Sequence, residues 1–168
     1  KNFKSFKTPK FDKSIDDRLK NKHWLQINKK PEIVILEGWC VGSKHQPNSL
    51  LKKPVNNLEK KEDKNLIWRS YVNKKLKQEY KKIFSMLDHL IFIKVPNFKM
   101  VLRWRLLQEK KLKKKYFLAK KIMSYHQIKR FVMFYERITL QMIKDLSKSA
   151  SVVMHLRNDH EIKKIFFR

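Results

Sequence analysis

The sequence is poorest in small residues, with two glycines and two alanines among 168 residues. Its single cysteine, Cys40, excludes an intrachain disulfide and predicts a small buried thiol in a reducing, cytoplasmic environment. No apolar run reaches the roughly 18 to 20 residues that a membrane-spanning helix needs. Residues 1–7 also lack the apolar run of a signal peptide, and the chain begins with Lys1 rather than Met, so we expect a truncated start.

Negative charge is scarce as well, because 15 acidic residues face 42 basic ones and the net charge is +27. Such an excess is typical of proteins that bind nucleic acid or anionic membranes. However, 34 of the basic residues are Lys and only 8 are Arg, whereas recognition of bases and phosphates favours the Arg fork. We therefore interpret the excess of lysine as a result of biased base composition in the genome, carried on solvent-exposed faces of the protein. Neither nucleic acid nor an anionic membrane is favoured as a partner. The alternative is a basic nucleic-acid-binding protein that uses the Lys110–Lys115 patch.

Three short apolar runs predict strands that are buried in a parallel sheet. They are Ile33–Leu36, Leu90–Val95 and Ser151–Leu156. After the first run, apolar residues recur every three or four positions from Trp68 to Leu87 and predict an amphipathic helix with that face buried. After the second, residues 98 to about 121 predict a lid-like helix, and Ser124 with Gln127 forms a capping box that opens another helix.

The alternation of strands and helices predicts an α/β fold. We expect one domain over residues 1–168, in which helices cover both faces of a parallel sheet in three layers. Residues 43–64 predict an irregular connection that is long enough to cover a site. Three strands are few for such a sheet, which again indicates a missing N-terminal portion.

The first predicted strand ends in Glu37-Gly38-Trp39-Cys40-Val41-Gly42, a segment that contains both glycines of the chain. Ligands of open parallel sheets bind beyond the carboxyl ends of the strands, so Glu37 is placed to hold Mg²⁺ directly or through water. The glycines predict positive φ or close approach of a ligand to the backbone. A turn with a solvated Glu is the equally open alternative.

Two further polar clusters are candidate sites. Asp12, Lys13, Asp17 and Arg18 lie within one short segment and could hold a polyhydroxylated substrate, although a helix start explains the same residues. Arg103 and Arg105 lie in the lid-like helix, where arginines could neutralise the charge of a phosphoryl group in transfer. Arg105 and Glu109 would also suit a surface ion pair.

Read together, several stretches resemble the motifs of the D-glycerate 3-kinase family and its bacterial kinase-like relatives, in the phosphoribulokinase and uridine kinase group. The stretches are, in order, PKFDKSIDDR (9–18), VILEGWCVG (34–42), PVNNLE (54–59), Asp63, WRSYVN (68–73), WRLLQE (104–109), FVMFYERIT (131–139) and LRNDH (156–160). The resemblance extends from Pro9 to His160.

The resemblance implies a P-loop NTPase fold of the nucleoside kinase type, with ATP and Mg²⁺ as cofactors and D-glycerate as the substrate that becomes 3-phosphoglycerate. The residue roles that it implies are catalysis by Glu37, Arg103 and Arg105, substrate binding by Asp12, Lys13, Asp17 and Arg18, and nucleotide binding by Asn158, Asp159 and His160.

The family's GxxxxGK[ST] loop and its catalytic base would precede Lys1. We therefore expect this chain to be the C-terminal two-thirds of such a kinase, and not to catalyse unaided. A non-catalytic relative that only binds substrate is a further alternative.

Overall fold

The computed structural model describes residues 3–12, 15, 17–115 and 123–168. The chain divides into two compact units, Lys1–Glu37 and Gly38–Arg168. The boundary falls inside the segment that contains both glycines. The single domain over residues 1–168 therefore stays a prediction.

The first unit consists of two small antiparallel ribbons. Strand β1 (Phe6–Thr8) pairs with β4 (Leu25–Ile27), and β2 (Phe11–Asp12) pairs with β3 (Asp17–Arg18). The indole Nε1 of Trp24 donates a hydrogen bond of 2.7 Å to the carbonyl of Leu19, which fixes the loop between β3 and β4.

The predicted strand Ile33–Leu36 is wrong for this structure. The run has no strand partner among the described residues, and Ile35 is 86% exposed. A strand is buried only when neighbours pair with its edges and other layers cover its faces. The described residues supply neither, although the apolar run itself has the composition of a buried strand.

The second unit contains the larger elements, which we number in chain order. They are α1 (Asn48–Leu51), α2 (Asn57–Glu62), α3 (Ile67–Lys75), a π-helical turn (Leu76–Tyr80), α4 (Lys81–Phe84), β5 (Ile91–Lys94), α5 (Phe98–Lys115), α6 (Tyr125–Ser149), β6 (Val152–Leu156) and β7 (Ile162–Phe167). Among the described residues, no helix has both the length and the apolar composition needed to cross a membrane.

The sheet of the second unit is mixed rather than wholly parallel. Strands β5 and β6 are parallel, as predicted, with Ile91 opposite Val152 and Ile93 opposite Met154. Strand β7, which the sequence analysis missed, pairs antiparallel with β6 and gives the order β5-β6-β7. The expected three-layer arrangement thus appears only in part.

Helix α6 forms the core against one face of this sheet. Its capping box is present as predicted, since Ser124 Oγ accepts from the Gln127 amide and the Gln127 side chain accepts from the Ser124 amide. The buried cluster joins α6 to β5 and β6, and its members are Phe92, Met142, Leu146, Ala150 and Val153. Cys40 was predicted to be buried but is only partly so; it packs against the cluster, and this burial raises the pKa of its thiol.

Helix α3 and its continuation bury a face that is rotated by about one residue, roughly 100°, from the predicted one. Of the apolar positions expected inside, Leu76 is buried, whereas Trp68 is 68% exposed. Arg69 and Asn73 are buried instead. Two causes act together: the π-helical turn breaks the 3.6-residue period, and polar partners hold Arg69 and Asn73 inside.

A buried ionic cluster, formed by Glu59, Arg69 and Arg137, connects α2, α3 and α6. Arg137 donates from Nε and Nη2 to the two oxygens of Glu59, at 2.7 and 2.6 Å, and Arg69 Nη1 donates at 3.0 Å. Arg137 also donates to the carbonyls of Leu50 and Lys53, at 3.1 and 2.7 Å. The predicted connection 43–64 is therefore tied to α6 and contains two short helices.

The pKa of Glu59 reflects this environment. Burial alone would raise it, but the hydrogen bonds and charge of Arg137, together with Arg69 and the Val55 amide, lower it below the usual range. The carboxylate stabilises the fold above the pKa of an unfolded Glu, and that stability is lost as the pH falls through the lower folded pKa.

We expect Glu59→Gln to reduce the free energy of unfolding by about 3–5 kcal/mol at neutral pH, because buried Arg137 loses its counter-charge and Arg69 keeps only its pair with Asp63. The measurement is urea denaturation followed by circular dichroism. The control is Glu62→Gln, whose pair with Arg130 is half exposed, so the change should be much smaller. The difference in the free energy of unfolding between wild type and Glu59→Gln should become smaller below about pH 4. A difference that does not change with pH would contradict this account.

Candidate functional site

The glycine-containing segment at 38–42 forms a turn at the start of the second unit. The Ser43 amide donates to the Cys40 carbonyl at 3.1 Å, and Gly42 has a φ of +80°. A Cβ at Gly42 would lie 2.6 Å from Leu90 Cδ2. The predicted positive φ is thus confirmed at Gly42. The φ of Gly38 is not positive, and close approach of a ligand to its backbone stays a prediction.

Trp39 in this turn lies on an aromatic group of α6. Its ring meets Phe131 and Tyr135 edge to face, with centroid distances of 6.0 and 5.2 Å. The Arg105 guanidinium of α5 lies over the same Phe131 ring, at 5.6 Å from the centroid. Trp39 of the turn and Arg105 of α5, which are far apart in the sequence, therefore both contact the ring of Phe131.

Arg105 is engaged within α5. Its Nη2 pairs with Glu109 at 2.6 Å and its Nη1 donates to Gln108 at 2.6 Å. The pair is largely buried, with side-chain exposures of 17% and 7%, so it is not a mere surface pair. Glu109 also accepts from the Met123 amide at 3.3 Å, which ties α5 to the start of α6. Arg103 is exposed and makes no ion pair with the described residues.

Trp104 joins α5 to the β6–β7 turn that contains the predicted nucleotide-binding residues. Its indole Nε1 donates to the Asn158 carbonyl at 3.1 Å. Its ring stacks on the His160 imidazole with centroids 4.2 Å apart and planes inclined by 31°. The helix that carries Arg103 and Arg105 thus contacts the turn of Asn158 and His160.

The turn itself is tightly bonded. The Arg157 amide donates to Glu161 at 2.8 Å, and the His160 amide donates back to Arg157 at 3.2 Å. Asp159 accepts from the Glu161 amide at 3.1 Å. His160 has a φ of +73°, an uncommon conformation for a residue with a Cβ, and such conformations cluster at binding sites.

The predicted substrate residues lie on the β2–β3 ribbon of the first unit. Asp12 is directly opposite Asp17, and Phe11 is opposite Arg18. Residues that face each other across a ribbon project to the same side, so the two acids share a face. The Arg18 amide donates to Asp17 Oδ1 at 2.6 Å. Lys13 lies outside the described residues.

Glu37 is the last residue of the first unit and is exposed. Within the described ranges, no group of three or more His, Cys, Asp or Glu residues could hold a metal ion. One exposed carboxylate still fits Mg²⁺, which proteins often hold through one or two carboxylates while phosphates and water supply the other ligands. The metal-binding role of Glu37 stays a prediction.

Gly42→Ala is expected to destabilise the chain by about 1–3 kcal/mol, because the added Cβ combines positive φ with a clash against Leu90. The matched control is Gly38→Ala, where the new Cβ would lie 3.2 Å from Val41 Cγ2 and φ is not positive. Thermal unfolding of both variants makes the comparison. An equal loss at Gly38 would contradict the role assigned to the backbone of Gly42.

Trp104→Phe removes the hydrogen bond to Asn158 and should lower the free energy of unfolding by about 0.5–1.5 kcal/mol. Trp104→Ala should lower it further, because the stack on His160 is lost too. Amide hydrogen exchange of His160 and Glu161 should become faster in the same order. Trp68→Ala is the control, since that exposed ring contacts only Tyr71 edge to face among the described aromatic rings. Unchanged exchange in Trp104→Ala would show that the turn does not depend on α5.

Comparison with known proteins is consistent with these features. No protein-family model matches the sequence. The chain is 32% identical over 133 residues to the uncharacterized kinase mug58 of Schizosaccharomyces pombe, a match that covers 76% of this chain and 46% of the relative. The structure of the present chain matches that of D-glycerate 3-kinase from Cryptococcus neoformans var. grubii with a TM-score of 0.71 and 20% identity. The match covers 98% of this chain and 60% of the enzyme. The YGR205w protein matches with a TM-score of 0.69 and 23% identity, over 99% and 59%.

The chain therefore spans about half the length of its curated relative and about three fifths of the structural ones. The structural matches establish the fold, an α/β fold like that of D-glycerate 3-kinase and of the YGR205w protein. The chain is thus similar in sequence to an uncharacterized kinase and in fold to a D-glycerate 3-kinase, which confirms the resemblance inferred from its motifs.

Proposed function

We propose that this chain forms part of an ATP-dependent kinase that phosphorylates a hydroxyl group of a small acidic substrate, with D-glycerate and 3-phosphoglycerate as the best candidate pair. In this reaction the substrate hydroxyl oxygen forms a bond to the γ-phosphorus of ATP, the bond to ADP breaks, and the hydroxyl proton is released. The observation that carries the proposal is the contact of Trp104 with Asn158 and His160, which joins the arginine helix to the predicted nucleotide turn.

Arg103 is the residue that we assign to the transferred phosphoryl group. Its side chain is exposed and unpaired among the described residues, so all five N–H donors are available to phosphate oxygens. Arg105 contributes differently, because Glu109 and Gln108 already bind its terminal nitrogens. Its Nε is buried without a partner among the described residues, so one N–H donor remains. We assign two roles to Arg105: it supplies this donor, and it positions α5.

The substrate is assigned to the β2–β3 ribbon. Asp12 and Asp17 accept hydrogen bonds from substrate hydroxyls, while Lys13 and Arg18 balance the substrate carboxylate. ATP supplies the phosphoryl group when bound, and Glu37 would hold its Mg²⁺. The residues Asn158, Asp159 and His160 are assigned to the nucleotide.

The test uses the complete gene product that contains residues 1–168. We expect ADP release that depends on D-glycerate and Mg²⁺, with 3-phosphoglycerate identified by mass spectrometry. Arg103→Ala and Glu37→Ala should each lower kcat about 100-fold, because each removes charge stabilisation at the phosphoryl group. Arg130→Ala removes an exposed arginine of α6 that pairs with Glu62 of α2, and it should leave kcat unchanged.

Other outcomes separate the alternatives. Full turnover in Glu37→Ala, Arg103→Ala and Arg105→Ala would remove the site assignment. Substrate binding without ADP release would indicate a non-catalytic relative. Salt-dependent binding of oligonucleotides without nucleotide binding would instead favour a nucleic-acid-binding protein, with the exposed lysines at the end of α5 as its surface.

A further inference from the structure

The Arg105 guanidinium is held by side chains of two different helices. Glu109 and Gln108 lie four and three residues later in α5 itself, so their bonds fix the guanidinium relative to that helix. The ring of Phe131, whose centroid lies 5.6 Å from the guanidinium, belongs to α6. Phe131 therefore relates the position of this charge to the helix that forms the core of the second unit.

The ring of Phe131 is itself held by two neighbouring rings. Trp39 of the glycine-containing turn meets Phe131 at 6.0 Å and Tyr135 at 5.2 Å, and Phe131 lies 5.3 Å from Tyr135. Each ring contacts the other two, and we call Trp39, Phe131 and Tyr135 the aromatic triangle. A ring with two ring neighbours in favourable geometry has fewer positions open to it than a single exposed ring, so the triangle restricts where Phe131 can lie.

A second arginine of this unit also contacts a phenylalanine of α6, and it offers a comparison. The Arg130 guanidinium lies 5.4 Å from the ring of Phe134, nearly the distance found for Arg105. However, Phe134 is 58% exposed and the Arg130 side chain 49%, whereas the Arg105 side chain is only 17% exposed. A cation–π contact is stronger when water is excluded from it, so Phe131 holds its arginine more firmly than Phe134 does.

The contact of Phe131 matters because one donor of Arg105 is left for a ligand. Glu109 and Gln108 bind the terminal nitrogens, while Nε is buried without a partner among the described residues. We propose that Phe131 is a positioning residue, which the aromatic triangle holds in place and which in turn fixes the Arg105 guanidinium for the phosphoryl group. Only the last step, the use of this charge in phosphoryl transfer, rests on the proposed kinase function.

The position of Arg105 can be measured by NMR without any turnover. The complete gene product that contains residues 1–168 is labelled with ¹⁵N-arginine, and the Nε–H signal of Arg105 is assigned by its loss in Arg105→Lys. We expect Phe131→Leu to shift this signal and to speed its exchange with water, because the ring beside the guanidinium is removed. Trp39→Leu should cause a smaller shift, since Trp39 acts through Phe131. Phe134→Leu is the matched control and should shift the signal of Arg130 but not that of Arg105.

The kinase assay tests whether this positioning serves the reaction. Phe131→Leu should lower kcat about tenfold and change KM less than about twofold, because a displaced charge weakens the transition state more than it weakens substrate binding. Phe131→Tyr keeps the ring and should restore kcat, and Phe134→Leu should leave kcat unchanged. The double variant of Phe131→Leu and Arg105→Ala should be no slower than Arg105→Ala alone, because Phe131 acts through Arg105.

Two outcomes overturn the proposal. They are an Arg105 signal that neither Phe131→Leu nor Trp39→Leu shifts, and effects of Phe131→Leu and Arg105→Ala on kcat that multiply in the double variant. If circular dichroism shows that Phe131→Leu does not fold, Trp39→Leu decides, because Trp39 is 61% exposed and lies outside the buried cluster. A wild-type protein without ADP release would remove the proposed function, whereas the Arg105 signal would still decide the positioning.

Discussion

The carboxylate of Glu59 is the constraint on which the second unit depends. It is buried, which costs free energy, and that cost is offset because Arg137, Arg69 and the Val55 amide all bind it. The other donors of Arg137 satisfy the carbonyls of Leu50 and Lys53, so the same charge pair also orders the connection between the glycine-containing turn and α3. An apolar replacement of Glu59 would leave the charge of Arg137 unpaired, whereas Arg69 would keep its pair with Asp63.

This cluster changes the meaning of the motifs that carry the family resemblance. Glu59, Arg69 and Arg137 belong to the PVNNLE, WRSYVN and YERIT stretches, and in the structure they contact one another in the interior. Asn56 of the first stretch donates to Glu136 at 3.0 Å, beside the same cluster. These motifs therefore support the fold more directly than the chemistry. Their presence alone does not distinguish an active kinase from a relative that has kept only the fold.

Local patterns predicted the elements whose partners are present in the chain. Helix α6 follows from Ser124 and Gln127 with its apolar spacing, and β5 and β6 follow from their short apolar runs. The same rules placed Ile33–Leu36 and the Trp68 face of α3 inside, because composition shows that a face is apolar but not that another layer covers it. Trp104 was missed as a contact because its partners lie 54 and more residues away, beyond any local spacing.

The position of Trp104 also constrains how the predicted arginines could act. A lid helix swings freely only if its two ends lack fixed contacts, yet α5 is bound to Asn158 and His160 through Trp104 and to the start of α6 through Glu109. A large swing would break the indole hydrogen bond, the ring stack and the Glu109 contact together. The fold therefore holds the helix that carries Arg103 and Arg105, and the pair with Glu109 also fixes the Arg105 side chain. In the proposed reaction the charge of Arg105 would thus be preorganised, whereas the exposed side chain of Arg103 would adopt its position when the phosphoryl group binds.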